Sequence, residues 1–131
     1  MPQPGWLAIA IAAGATYAGV GILFAIPTTH AYAWRLAAWG VSALVYGGHI
    51  LHERFRFQSP PVRAAWHVAI GVAVGSLGLA VGANVHDMFV ESTARQHQLL
   101  RLALLLWPLL TAVPAWFVAL FGSVLLRAIA R

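Results

Sequence analysis

The sequence contains no cysteine and no lysine, and its acids number only three: Glu53, Asp87 and Glu91. Without cysteine there are no disulfides, thiolate metal sites or cysteine nucleophiles, and the redox compartment leaves no mark on the chain. All eight basic residues are arginine, and the net charge of +5 is dispersed rather than clustered, so nucleic-acid binding is not expected. Charged residues make up 8% of the chain and hydrophobic ones 61%, whereas about a quarter of a soluble domain is charged. A water-soluble fold of 131 residues could not hide that much apolar surface. A lipid bilayer is the expected solvent.

What the chain has instead of charge is long apolar runs. The first, Trp6 to Ile26, is about 31 Å long as a helix and matches the hydrocarbon core. Ala31 and Ala33 make a small-x-small site after it, as in a signal peptide, but no Lys or Arg precedes the run and it is long for a signal core, so a retained span is expected. Pro27 ends this helix. A second span is expected over 34–55, with Trp34 and Trp39 at interfacial positions. The turn after it carries Ser59, Pro60 and Pro61; Pro60 disfavours helix at Ser59, and Pro61 suits the first position of the next helix. The third span, about 62–86, is rich in glycine. Residues His86 to Gln98 read as a polar loop with a short interfacial helix, followed by a fourth span over 99–127, in which Pro108 and Pro114 predict a bend. The expected fold is all-α: a single-domain integral membrane protein, residues 1–131, with four transmembrane helices in an antiparallel bundle and the second and third forming a tight hairpin.

Gly71, Gly75, Gly78 and Gly82 recur at spacings of four, three and four, two GxxxG pairs on one helix face. The first helix offers a matching row in Ala10, Gly14, Ala18, Gly21 and Ala25. Both rows suit close helix approach. Arg54, Arg56, Arg63, Arg127 and Arg131 lie at one end of the bundle and Arg35, Arg95 and Arg101 at the other, which predicts a multi-pass protein of the cell inner membrane with both termini cytoplasmic.

The residues that suggest chemistry gather near the basic turn. Tyr46, His49, Glu53 and Arg56 share one helical stripe, with His52 beside it. His49 precedes Glu53 by four residues and His67 follows Arg63 by four, so both imidazoles are expected at equal depth, about 6 Å inside the interface. His49 and His67 are therefore candidate axial ligands for a haem b, and His52 with Glu53 candidate ligands for a divalent metal. The preferred reading has no cofactor: close helix approach leaves little room for a macrocycle, and H-x-x-H-E is neither H-E-x-x-H nor H-x-x-E-H. At the other end His30, His86 and Asp87 form a candidate polar cluster near Arg35. No Ser, His and Asp set shares a depth, and Ser42, Ser76 and Asn84 read as interhelical hydrogen-bonding groups. The function expected first is non-enzymatic packing against itself or a larger membrane complex, with the lipid bilayer as its other partner. A histidine-based haem, metal or proton-handling protein is the alternative.

Overall fold

A computed structural model describes residues 5–129 and is all-α. Arg131, counted above among the basic-end residues, lies outside them. The helices are α1 (Trp6–Ala25), α2 (Ala31–Phe55), α3 (Pro61–Asp87) and α4 (Ala94–Ile129), joined by short connections. Three of them, α1, α3 and α4, are long and apolar enough to cross a membrane. The helix α2 falls short of that measure. Its ends carry Arg35 and the run His49, His52, Glu53 and Arg54, so its uncharged middle is shorter than the about 20 residues a span usually needs.

Local chemistry explains the helix ends. Pro61 opens α3 at a position where its missing N–H costs no hydrogen bond. Thr93 Oγ1 accepts the Gln96 N–H at 3.2 Å and caps α4. Residues 94–98 are consequently the start of α4 itself, where a polar loop with a separate short interfacial helix was expected. Both prolines of α4 lie within one continuous helix.

The helix α3 is the hub. It packs along its length against α4 on one side and α1 on the other, and it meets α2 over a much shorter stretch near the basic turn. The expected tight α2/α3 hairpin is thus displaced by an α1/α3 pair. The reason is shape. Contacts advance together along the two chains, from Gly14 beside Gly71 and Val74, through Tyr17 beside Gly75 and Ala18 beside Gly78, to Ile22 beside Gly82, so α1 and α3 run parallel. A Cβ added at Gly75 would fall 2.6 Å from Tyr17 Cβ, and one at Gly14 would fall 2.8 Å from the Gly71 carbonyl oxygen. Only backbone without side chains fits this seam.

Hydrogen bonds fasten α3 to α4, which runs antiparallel to it. Thr111 Oγ1 lies 2.9 Å from Ser76 Oγ, which itself lies 2.9 Å from the Val72 carbonyl. Nearer the other end Asn84 Nδ2 donates to the Leu100 carbonyl at 2.8 Å. The Tyr46 hydroxyl donates to the Ala115 carbonyl and ties α2 to α4. Leu44, Trp39, Leu105, Leu110 and Phe121 are among many large apolar side chains left exposed, which for α4 is compatible with a membrane surrounding.

Alanine at Gly75 or Gly14 must push α1 and α3 apart. Each substitution should lower stability by about 1–3 kcal/mol, the usual cost of overpacking. Gly40→Ala, where a Cβ meets nothing within 4 Å, should change it by less than about 0.5 kcal/mol. Denaturant titration of the three variants in detergent micelles, followed by circular dichroism, measures the difference.

Candidate functional site

Glu53 stands in the last turn of α2, where a negative charge opposes the helix dipole, so helix stability does not account for it. It is nonetheless fully buried, with 0% of its surface exposed. A buried carboxylate persists only among groups that compensate its lost hydration. Here they come from three segments. Gln58 adopts a left-handed φ of 50° and turns the chain back on itself. That places Ser59 against Glu53 twice, its N–H donating to the Glu53 carbonyl at 3.0 Å and its hydroxyl to Oε2 at 2.7 Å. From α3, His67 brings Nδ1 to 2.9 Å from the same oxygen, outside the in-line geometry of a hydrogen bond. One turn earlier on α2, His49 Nε2 is 4.0 Å from Oε1, the oxygen with no hydrogen-bond partner.

A third helix closes the group. The Trp6 ring of α1 lies flat on His67, with centroids 4.2 Å apart and planes within 11°. His49 packs against Gly71, where an added Cβ would come within 3.3 Å of its Cε1. The glycine seam that lets α1 approach α3 therefore also makes room for the His49 ring. Tyr46 and Ile50 continue the same face of α2 downward, Ile50 into a small core with Ala65, Val68 and Ala119.

The two candidate histidines are brought together, with Glu53, which shares a helical stripe with His49, between them. Glu53 belongs with His49 and His67. His52, its expected partner for a metal, turns outward and meets the Phe57 ring edge-on at 5.0 Å. Arg56 is exposed and takes no part. Among the described residues no group of three or more His, Cys, Asp or Glu side chains is disposed to hold a metal ion. Nor do the residues fit a haem: Glu53 occupies the space between the imidazoles, Trp6 covers one face of His67, and Gly71 abuts His49.

At the far end the candidate residues His30, His86 and Asp87 do not come together. Asp87 is buried and pairs with His97, a residue of the first turns of α4 that had not been singled out. His86 and His30 are exposed, His30 in a left-handed conformation at the start of α2. Arg35 instead lines a cavity of about 130 Å³ with Gly21, Phe24 and Pro27. Trp6 and Ser59 were also missed. Ser59 lies just before Pro60, in a turn that had to fold back on the last turn of α2. Trp6 lies four residues before Ala10, the first member of the seam.

If Ser59 offsets the burial of Glu53, Ser59→Ala should cost about 1.5–3 kcal/mol, the range for hydrogen bonds to charged groups. In the Glu53→Gln background the same change should cost clearly less. A double-mutant cycle by denaturant titration measures the coupling, and strictly additive losses would remove the link.

No family model matches the chain, and no curated protein or solved structure matches it either, so the functional reading rests on the geometry of the site.

Proposed function

We propose that this chain is a non-enzymatic, multi-pass membrane protein that holds a proton between Glu53 and the imidazoles of His49 and His67. The observation that carries the reading is a carboxylate with no exposed surface, 2.9 Å from one imidazole and 4.0 Å from another. An ionisable group sheltered inside a helical membrane protein is expensive and is kept for a task. A carboxylate 2.9 Å from one imidazole can exchange a proton with it once the ring turns into line, and the second imidazole, at 4.0 Å, is reached through a closer approach or one bridging water. Further along the bundle the Tyr17 hydroxyl, buried without a partner beside Gly75, and the Ser76–Thr111 pair place polar groups between this site and the Asp87–His97 pair. They support a route for protons along α3.

In this reading α2 is the fourth span. It runs antiparallel to α3, pairs with α4 through Tyr46, and at 25 residues reaches about 37 Å, enough to cross. The excess of arginine at the Glu53 end makes that end, and with it both termini, cytoplasmic, in a cell inner membrane.

One observation favours packing against another copy or a larger complex as a second role. The helix α2 is the least embraced of the four, and Gly40, Gly47 and Gly48 on it face open space, while Trp39 and Leu44 stand exposed beside them.

Proton loading is tested in liposomes. Infrared difference spectra on acidification should show a protonated carboxyl band that Glu53→Gln abolishes, and any proton flux should fall about tenfold or more in that variant and in His49→Ala. An unchanged spectrum and flux in Glu53→Gln would end the proposal. The packing role is tested with Leu44→Cys, the one thiol in a chain that has none. Oxidative crosslinking in membranes should give a dimer or a larger adduct, and a monomer alone would argue against it.

A further inference from the structure

Below Glu53, at the basic end of the bundle, lies a second feature that proton holding does not use. A cavity of about 420 Å³ opens between the α2–α3 turn and the last turns of α4, within the range of about 300–1,000 Å³ typical of small-ligand sites. From α2 it receives Arg54 and from α4 Ser123 and Arg127, while the turn contributes Gln58, Ser59 and the two prolines.

The lining is built for negative charge. It contains two guanidinium groups from different helices and no carboxylate. Among the described residues no ion pair engages Arg54 or Arg127, and the Arg54 Nε is buried with no hydrogen-bond acceptor. The Ser123 hydroxyl is in the same condition: its residue is 2% exposed and its Oγ has no partner. Two buried donor groups without acceptors on one cavity wall are what an absent anion would satisfy. The start of α3 adds to this. No side chain caps it and no acid stands in its first turn, so the positive end of its dipole lies at Pro60 and Pro61, although neither proline has an N–H to donate. The nearest acid, Glu53, is held on the other side of Ser59 by that residue's hydroxyl and by His67.

We propose that this cavity binds a phosphate-bearing anion, with Arg54 and Arg127 forking its oxygens and the Ser123 hydroxyl donating a third hydrogen bond. Planar guanidinium pairs suit tetrahedral phosphate, and their place at the end of an apolar bundle is the depth of lipid head groups. Two sources share this chemistry: the phosphodiester of an anionic phospholipid, and free inorganic phosphate. The site borders the Glu53 group through Ser59, but the three donors proposed for the anion, Arg54, Arg127 and Ser123, take no part in holding Glu53.

The test uses the full chain in nanodiscs of phosphatidylcholine, titrated in parallel with phosphatidylglycerol during assembly and with inorganic phosphate in the buffer. Retained phosphatidylglycerol is counted by native mass spectrometry and phosphate by equilibrium dialysis. One or both should bind the wild type, and binding should weaken about tenfold or more in the Arg54→Gln/Arg127→Gln double variant, the loss of one charge-assisted contact or more. Ser123→Ala, a smaller change that keeps both charges, should weaken it several-fold, and Arg63→Gln, an exposed arginine outside the cavity, should not. Selective retention of phosphatidylglycerol over choline lipid identifies a head-group site, and phosphate binding alone identifies a soluble ligand. Equal binding by wild type, Ser123→Ala and the double variant, or none by any of them, would overturn the proposal and leave the two arginines as compensation for the ends of α2 and α4.

Discussion

The structure depends on one constraint: a carboxylate with no access to water has to be satisfied by what surrounds it. Glu53 meets that constraint in part: the Ser59 hydroxyl, from the turn after its own helix, donates to one oxygen, while His67 from α3 and His49 one turn back stand beside it without a hydrogen bond. The arrangement needs α2 and α3 close at this end, and it needs the turn between them folded tightly enough to return Ser59. It also needs the outer face of His67 covered, which Trp6 does.

Close packing between α1 and α3 has a different origin. In a bilayer, lipid tails are as apolar as leucine, so helices gain by fitting backbone to backbone rather than by leaving the solvent. Gly14, Gly71 and Gly75 allow that fit, and the interhelical bonds of Thr111 with Ser76 and of Asn84 with Leu100 fasten α3 to α4 on the other side. The centre of the molecule is thus made of small residues and a few polar bridges, while the large apolar side chains face outward.

Much of this was legible in the chain, and the parts that were not have physical reasons. Apolar runs between prolines mark the four helices, because length and hydropathy are local properties. The small residues of α1 and α3 could be seen as rows, but nothing in their spacing says which helix faces which, and the tight hairpin expected from chain order gave way to the parallel α1/α3 pair. The depth argument brought His49 and His67 to one level. It did not place the Glu53 carboxylate between them, because a carboxylate one turn from a histidine reads the same whether it points inward or outward. His97 escaped notice since its segment looked like a loop, and only the Thr93 cap makes it the helix turn that reaches Asp87.

Because α1 and α3 run parallel and touch, the chain between them must cross back around the outside, and α2 is that outer limb. Two five-residue tethers hold it, 26–30 and 56–60. Broad interlocking with α3 does not. Pulling α2 away from α3 would therefore uncover little packed surface, yet would strip the acid of both its α3 imidazole and its shelter in a single stroke.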